Sequence, residues 1–167
     1  KRMPDEYGVI LNNLLPLRGI NPQDINAVSI CSVVPPMIPV FEEVSVTYFN
    51  TAPLVIGAGV KTGIRILYDN PKDVGADRVV DAVAAYQLYG GPVIVVDFGT
   101  ATVFDAVSAE GAYLGGAIAP GINMAAEALF LNTSQLKRVE MVPPQTAIGR
   151  NTVASIQSGL ILGYASL

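Results

Sequence analysis

Residues 93–102 read Val-Ile-Val-Val-Asp-Phe-Gly-Thr-Ala-Thr, which predicts an apolar strand, a glycine turn and the start of a second strand. The β-branched run at 93–96 is typical of a buried strand. Gly99 allows a phosphate to approach the backbone, and Thr100 adds a hydroxyl donor. Asp97 can hold the cation that accompanies nucleotide phosphates. The same spacing also fits an ordinary hairpin with a solvated aspartate, so both interpretations stay open.

The sequence before this stretch predicts alternating strands and helices. Helical patterns cover Pro4–Leu15 and Ile38–Tyr48, and strand patterns cover Ala27–Val34 and Pro53–Ile56. This β-α-β order predicts a parallel sheet with right-handed crossovers. A glycine-rich loop follows at Gly57–Gly63. The fold class predicted from these patterns is α/β.

The later sequence predicts two tight antiparallel connections, at Gly99 and at Glu110-Gly111. Gly90-Gly91-Pro92 is the clearest internal break, and we expect a boundary there that separates lobes at residues 1–91 and 92–167. The remaining predicted elements are helices at 77–88, at about 123–131 and from about 153, with strands at 102–107 and 112–118.

Composition limits the possible chemistry of the 167 residues. The formal charge is −4 and basic residues do not cluster, so we expect neither nucleic-acid nor membrane binding. No apolar run reaches the roughly 20 residues of a membrane span, and the charged start is unlike a signal peptide, so we expect a cytoplasmic protein. Histidine is absent, which leaves a carboxylate as the general base. Cys31 is the one cysteine, and we expect it to be buried as a small hydrophobic residue.

Gly75-Ala76-Asp77-Arg78 is a second candidate site, at the start of a predicted helix. One interpretation makes Asp77 an N-cap and Arg78 a surface residue. The other makes Asp77 a catalytic base next to a fixed cation, because in phosphoryl transfer an aspartate accepts the proton of the acceptor hydroxyl. Local sequence leaves both open.

Two further stretches have both a structural and a functional interpretation. Tyr113–Gly121 is a strand feeding a glycine turn, which fits either a packed turn or a wall of a nucleotide or substrate site. Gly149-Arg150-Asn151-Thr152 precedes the last helix, with Asn151 or Thr152 as its N-cap. In that helix Ser155, Gly159 and Gly163 form a stripe of small residues, which predicts a close core contact or a subunit interface.

Together these motifs resemble the type III pantothenate kinases. The resembling stretches occur in the family's order over nearly the whole chain: Val60-Lys-Thr-Gly-Ile, Leu67-Tyr-Asp-Asn-Pro, Gly75-Ala-Asp-Arg, Asp97-Phe-Gly-Thr-Ala-Thr, Tyr113-Leu-Gly-Gly-Ala-Ile-Ala-Pro-Gly and Gly149-Arg-Asn-Thr. The resemblance implies an actin/hexokinase/Hsp70-like fold of two ribonuclease-H-like lobes with ATP between them. It also implies a homodimer with the substrate pocket at the subunit interface.

The resemblance also implies an activity and residue roles. ATP would phosphorylate pantothenate to 4'-phosphopantothenate, at the start of coenzyme A biosynthesis, with Mg²⁺ and a monovalent cation, K⁺ or NH₄⁺. Asp77 would accept the proton, Asp97 would bind the monovalent cation and Thr100 the ATP phosphates. The residues expected to contact pantothenate are Tyr68, Gly75, Ala76, Asp77, Arg78 and Thr152.

The sequence departs from the family in a few places. The family's first phosphate loop, Asp-x-Gly-Asn-Thr, is missing, as is the later part of the second lobe, so we expect a piece of a longer polypeptide that cannot turn over by itself. Asp81 stands where an Asn is usual and Val103 where a second Thr is usual. The alternatives are another small-molecule kinase of the same fold, such as a sugar or acetate kinase, a non-catalytic regulatory relative, and an inactive folded remnant.

Overall fold

The computed structural model describes residues 3–57 and 60–167 and confirms a mixed α/β chain. The predicted loop Gly57–Gly63 includes residues 58 and 59, which lie outside the described residues. In chain order the elements are α1 (Pro4–Leu14), β1 (Ser29–Cys31), α2 (Ile38–Phe49), β2 (Leu54–Ile56), β3 (Arg65–Ile66), α3 (Ala76–Tyr89), β4 (Val93–Phe98), β5 (Ala101–Val107), β6 (Ala112–Pro120), α4 (Ile122–Leu131) and α5 (Thr152–Ala165).

The chain divides into two compact units. Unit 1 comprises Lys1–Val93 and Ser108–Tyr113, and unit 2 comprises Ile94–Val107 and Leu114–Leu167. The assignment of residues 1–91 and 92–167 to ribonuclease-H-like lobes stays a prediction.

In unit 1, β1 and β2 pair in parallel, as the sequence predicted. The register places Ser29 opposite Leu54 and Cys31 opposite Ile56, and α2 forms the connection between the two strands. Strand β1 is shorter than the predicted Ala27–Val34 because the chain turns at Ser32, whose hydroxyl accepts a hydrogen bond from the backbone N–H of Val34.

Two predictions of burial are wrong. Cys31 is exposed, because in β1 only the central Ile30 points into the core and the alternation of a strand turns its neighbours outwards. Strand β4 was expected to be buried, yet Ile94, Val96 and Phe98 are 67%, 41% and 77% exposed. The strand order is β3-β6-β5-β4, so β4 is the edge strand with one neighbouring strand, and Ile94, Val96 and Phe98 share the face of it that is exposed.

In unit 2, β4 and β5 are neighbours joined by the two residues Gly99 and Thr100, which makes them an antiparallel hairpin as predicted. Strand β6 lies on the other side of β5, and its first two residues, which belong to unit 1, pair in parallel with β3. Helices α4 and α5 pack on each other, and the Tyr164 hydroxyl donates to the carbonyl of Pro120. Among the described residues, no helix combines the length and apolarity needed to cross a membrane.

Candidate active site

The first part of the site is the start of α3. Gly75 is the N-cap residue, and Asp77 is the second residue inside the helix. The interpretation that Asp77 is itself the N-cap is therefore wrong. The Asp77 carboxylate is exposed, and its Oδ1 atom accepts a hydrogen bond from the backbone N–H of Arg78 at 2.8 Å. A negative charge in the first turn is favoured by the helix dipole. The fold thus holds a solvent-facing carboxylate at a fixed place.

Gly75 leaves the space that this carboxylate occupies. A Cβ atom on Gly75 would lie 2.5 Å from Asp77 Oδ1 and 3.5 Å from Val33 Cγ1. The Gly75 backbone, with φ −57° and ψ 142°, is open to any residue. The need for glycine at this position therefore comes from the neighbouring side chain and not from the backbone conformation.

Tyr68, Arg78 and Tyr113 form an aromatic and cationic cluster in unit 1. The Arg78 guanidinium carbon lies 5.8 Å from the centroid of the Tyr113 ring. The Tyr68 and Tyr113 ring centroids are 6.2 Å apart, with a tilt of 50°. Tyr113 is completely buried, while Tyr68 and Arg78 are half-buried. The structure thus brings two of the predicted substrate contacts, Tyr68 and Arg78, to one tyrosine that had no predicted role of its own.

The backbone of Tyr113 also fixes the loop that carries Tyr68. Strand β3 pairs with β6 so that Ile66 lies opposite Tyr113, and the N–H of Leu67 donates to the Tyr113 carbonyl at 2.8 Å. Further along, Asn70 closes a short turn by accepting from the N–H of Lys72 and donating to Asp73. The strand pair and this turn hold both ends of the segment between β3 and α3.

The carboxylates of helix α3 affect the titration of the Cys31 thiol. Although Cys31 is largely exposed, the protein atoms around its thiol partly exclude water and raise its pKa, and the negative charges of Asp77 and then Asp81 raise that pKa further. Strand β1 and helix α3 are in contact.

A cavity of about 320 Å³ lies in unit 1 beside the start of α3. It is bounded by the loops that follow β1 and β2, by the segment between β3 and α3, and by the first turn of α3. Small ligands of α/β proteins commonly bind beyond the carboxyl ends of parallel strands, and this volume is typical of a small-molecule site. The wall is largely apolar with a few polar groups; it includes Ser32, Val33, Ile56, Val60, Thr62, Ile66, Lys72, Val74, Ala76 and Val79.

The β4–β5 turn is the centre of the candidate site in unit 2. Asp97 and Thr100 are exposed on either side of Gly99, and the Thr100 carbonyl accepts from the N–H of Gly121 at 2.9 Å. Gly121 is the buried N-cap residue of α4, and a Cβ on it would lie 2.5 Å from the Thr100 carbonyl oxygen. The start of α4 therefore lies against the turn, as expected for an anion site at a helix N-terminus.

The remaining predicted contact, Thr152, is the first residue of α5 in unit 2. Asn151 is the N-cap residue, as one of the two predicted alternatives had it, and its Oδ1 accepts from the N–H of Ala154 at 2.8 Å. The small-residue stripe of this helix is exposed, and a Cβ on Gly159 or Gly163 would meet nothing within 4 Å. The alternative that this stripe packs in a close core within the chain is therefore wrong.

The predicted residues thus form two groups, each within one unit. Unit 1 holds Tyr68, Gly75, Ala76, Asp77 and Arg78, and unit 2 holds Asp97, Thr100 and Thr152. The residues expected to bind the acceptor therefore lie in unit 1, and those expected to bind the ATP phosphates and the cation lie in unit 2. Thr152 is the exception, because it was expected to contact the acceptor and lies in unit 2.

Comparison with known proteins decides the family. The family described as type III pantothenate kinase matches residues 1–167 of this chain. The chain belongs to the type III pantothenate kinase family. Within the family it is 55% identical to the type III pantothenate kinase of Myxococcus xanthus, over all of this chain and 65% of the relative. It is 54% identical to type III pantothenate kinase 2 of Symbiobacterium thermophilum, over 99% of this chain and 63% of the relative.

The chain therefore spans a little under two thirds of the length of these type III pantothenate kinases. It is also 53% identical to the enzyme of Dehalococcoides mccartyi, again over 65% of that relative. A solved structure from Campylobacter jejuni, described as a Baf family transcriptional activator, is similar in fold with a TM-score of 0.59. It covers 84% of this chain and 61% of that chain at 18% identity, so this likeness concerns the fold alone.

Proposed function

We propose that the complete protein transfers the γ-phosphate of ATP to the primary hydroxyl of pantothenate, giving 4'-phosphopantothenate for coenzyme A biosynthesis. The observation that carries the proposal is the exposed Asp77 carboxylate, fixed in the first turn of α3 beside a small-molecule cavity. Family membership over all 167 residues supports the same substrate class. The cavity wall suits pantothenate, whose gem-dimethyl group is apolar and whose carboxylate pairs with a cation such as Lys72.

In this proposal Asp77 is the general base. Its carboxylate accepts the proton of the pantothenate hydroxyl while the oxygen–phosphorus bond forms and the bond between the γ-phosphorus and the bridging oxygen of ADP breaks. Arg78, next to Asp77, stabilises negative charge during transfer. Tyr68, Gly75 and Ala76 are the other proposed pantothenate contacts in unit 1, and Thr152 stays a predicted contact.

The β4–β5 turn is the proposed binding site for the ATP phosphates. Thr100 and the backbone around Gly99 hold ATP phosphates, and Asp97 holds the monovalent cation, K⁺ or NH₄⁺. A turn packed against the start of a helix, with one carboxylate beside it, fits a phosphate and its cations. The described residues contain no cluster of three or more acidic or other metal-ligating side chains. When bound, Mg²⁺ neutralises charge on the phosphates.

The proposal extends to the assembly. The parallel β-α-β unit and the hairpin strands followed by α4 are consistent with an actin/hexokinase/Hsp70-like fold of two ribonuclease-H-like lobes. A homodimer would give the exposed stripe of α5 a partner helix. The proposed location is cytoplasmic, in keeping with a proposed activity on two small water-soluble substrates.

The test is a pair of substitutions on one helix in the complete polypeptide that carries this sequence. Asp77→Asn is expected to lower the rate of pantothenate phosphorylation about 100- to 10,000-fold, the usual contribution of a general base. Asp81→Asn, one turn later, is the matched control and should leave the rate unchanged, because the family usually has Asn there. Full activity of Asp77→Asn would remove Asp77 as the base. A folded protein that never phosphorylates any acceptor would favour the regulatory alternative.

A further inference from the structure

Arg78 lies at a position that is electrostatically unfavourable for a cation. It is the third residue of α3, and the first turn of a helix carries partial positive charge, which disfavours a guanidinium. Its guanidinium carbon lies 5.8 Å from the ring centroid of Tyr113, within the distance at which the negative face of an aromatic ring attracts a cation. The ring compensates part of the cost of placing positive charge at this helix start.

Two features of Tyr113 suit it to this task. Its side chain is completely buried, and its backbone is held in the β3–β6 pair. The same ring contacts Tyr68, whose loop starts at the hydrogen bond from Leu67 N–H to the Tyr113 carbonyl. One residue thus fixes both half-buried side chains that are expected to contact pantothenate.

We propose that Tyr113 is a positioning residue that holds the Arg78 guanidinium, together with Tyr68, in the geometry needed to bind and phosphorylate the acceptor. The inference rests on the proposed function for its catalytic consequence, although the contact itself does not. Complete burial keeps Tyr113 from touching the substrate, so it acts through Arg78 and Tyr68. The strength of the effect depends on the negative charge of the ring face and not only on its volume.

The decisive experiment changes that charge while keeping the shape of the ring. Phenylalanine, 4-fluoro-, 3,5-difluoro- and 3,4,5-trifluorophenylalanine are placed at position 113 of the complete polypeptide. Each fluorine withdraws charge from the ring face, so kcat/KM for pantothenate should fall stepwise, by about 5- to 30-fold from phenylalanine to the trifluoro ring. The KM for ATP should stay constant.

The same series in an Arg78→Gln background provides the control, because a neutral side chain has no charge to attract. There the four rings should give equal kcat/KM. A flat series in the Arg78 protein, or an equal decline in both backgrounds, would overturn the proposal. Either result would mean that the charge of the ring face does not hold Arg78.

A spectroscopic measurement tests the contact without any activity. The Arg78 Nε–H proton should have a chemical shift displaced by the Tyr113 ring current, and Tyr113→Leu should return it towards the value of a free arginine. Tyr86→Leu is the matched control, since Tyr86 packs on Gly111 in the same unit, and it should leave the Arg78 signal unchanged. An Arg78 signal that is the same in Tyr113→Leu and the parent would refute the positioning role. If the signal moves as expected but pantothenate is not phosphorylated by the parent protein, the proposed function fails and the contact stands.

Discussion

Gly75→Ala is expected to disable the protein by moving a single carboxylate. The added Cβ would lie 2.5 Å from Asp77 Oδ1, and an ordinary contact begins at 3.4 Å, so the carboxylate must move by about 0.9 Å. Misplacing a reacting group by about 1 Å costs about 100-fold in rate, equivalent to about 2.7 kcal/mol of transition-state stabilisation. The phosphorylation rate of Gly75→Ala should fall by that factor.

Stability should change far less than the rate in this variant. The Gly75 backbone conformation is open to alanine, and the displaced atom is the end of an exposed side chain. Replacing glycine by alanine at an N-cap costs about 1 kcal/mol or less of folding free energy. Denaturant unfolding followed by circular dichroism measures this term separately from a coupled ADP-release assay of the rate.

A double-mutant cycle isolates the mechanism. In an Asp77→Ala background there is no carboxylate for the new Cβ to displace, so Gly75→Ala should lower the residual rate no further. An additional 100-fold loss in that background would show that alanine at this position acts through something other than Asp77. Unchanged activity of Gly75→Ala in the parent would refute the claim that the position of this carboxylate matters.

Two further results are expected. Asp77→Asn removes a negative charge that raises the pKa of the Cys31 thiol, so the thiolate fraction at pH 8 should increase. Iodoacetamide should therefore alkylate Cys31 faster in this variant. An unchanged alkylation rate would contradict the proximity of the two groups. Gly121→Ala places a Cβ against the backbone carbonyls of Gly99 and Thr100, which cannot move aside as a side chain can. We therefore expect the free energy of unfolding, measured with denaturant, to fall by about 1–3 kcal/mol and the KM for ATP to rise. A normal KM for ATP would argue against phosphate binding at this turn.

The sequence predicted the elements whose patterns are local. The helical pattern of α2, the turn at Gly99 and the N-cap at Asn151, which was one of two alternatives, each depend on a few neighbouring residues, and all three appear in the structure. The order of strands and helices also gave the parallel pair β1 and β2 correctly.

The errors concern properties that depend on distant parts of the chain. Cys31 and β4 have the composition of buried strands, but exposure depends on which neighbours cover each face, and β4 lies at a sheet edge. The role of Tyr113 arises because β3, a strand of two residues, pairs with β6 and brings Tyr68 and Arg78 to the ring. Tyr113 lies 35 positions from Arg78 and 45 from Tyr68 in the sequence, so no local pattern indicates these contacts.

The most direct test of the central claim is an acceptor panel given to the complete polypeptide with ATP, Mg²⁺ and K⁺. Product analysis by ³¹P NMR and mass spectrometry compares pantothenate with glucose and acetate. The expected result is 4'-phosphopantothenate and an equal amount of ADP, with no phosphate on the sugar or on acetate. Phosphorylation of glucose or acetate without phosphorylation of pantothenate would contradict it.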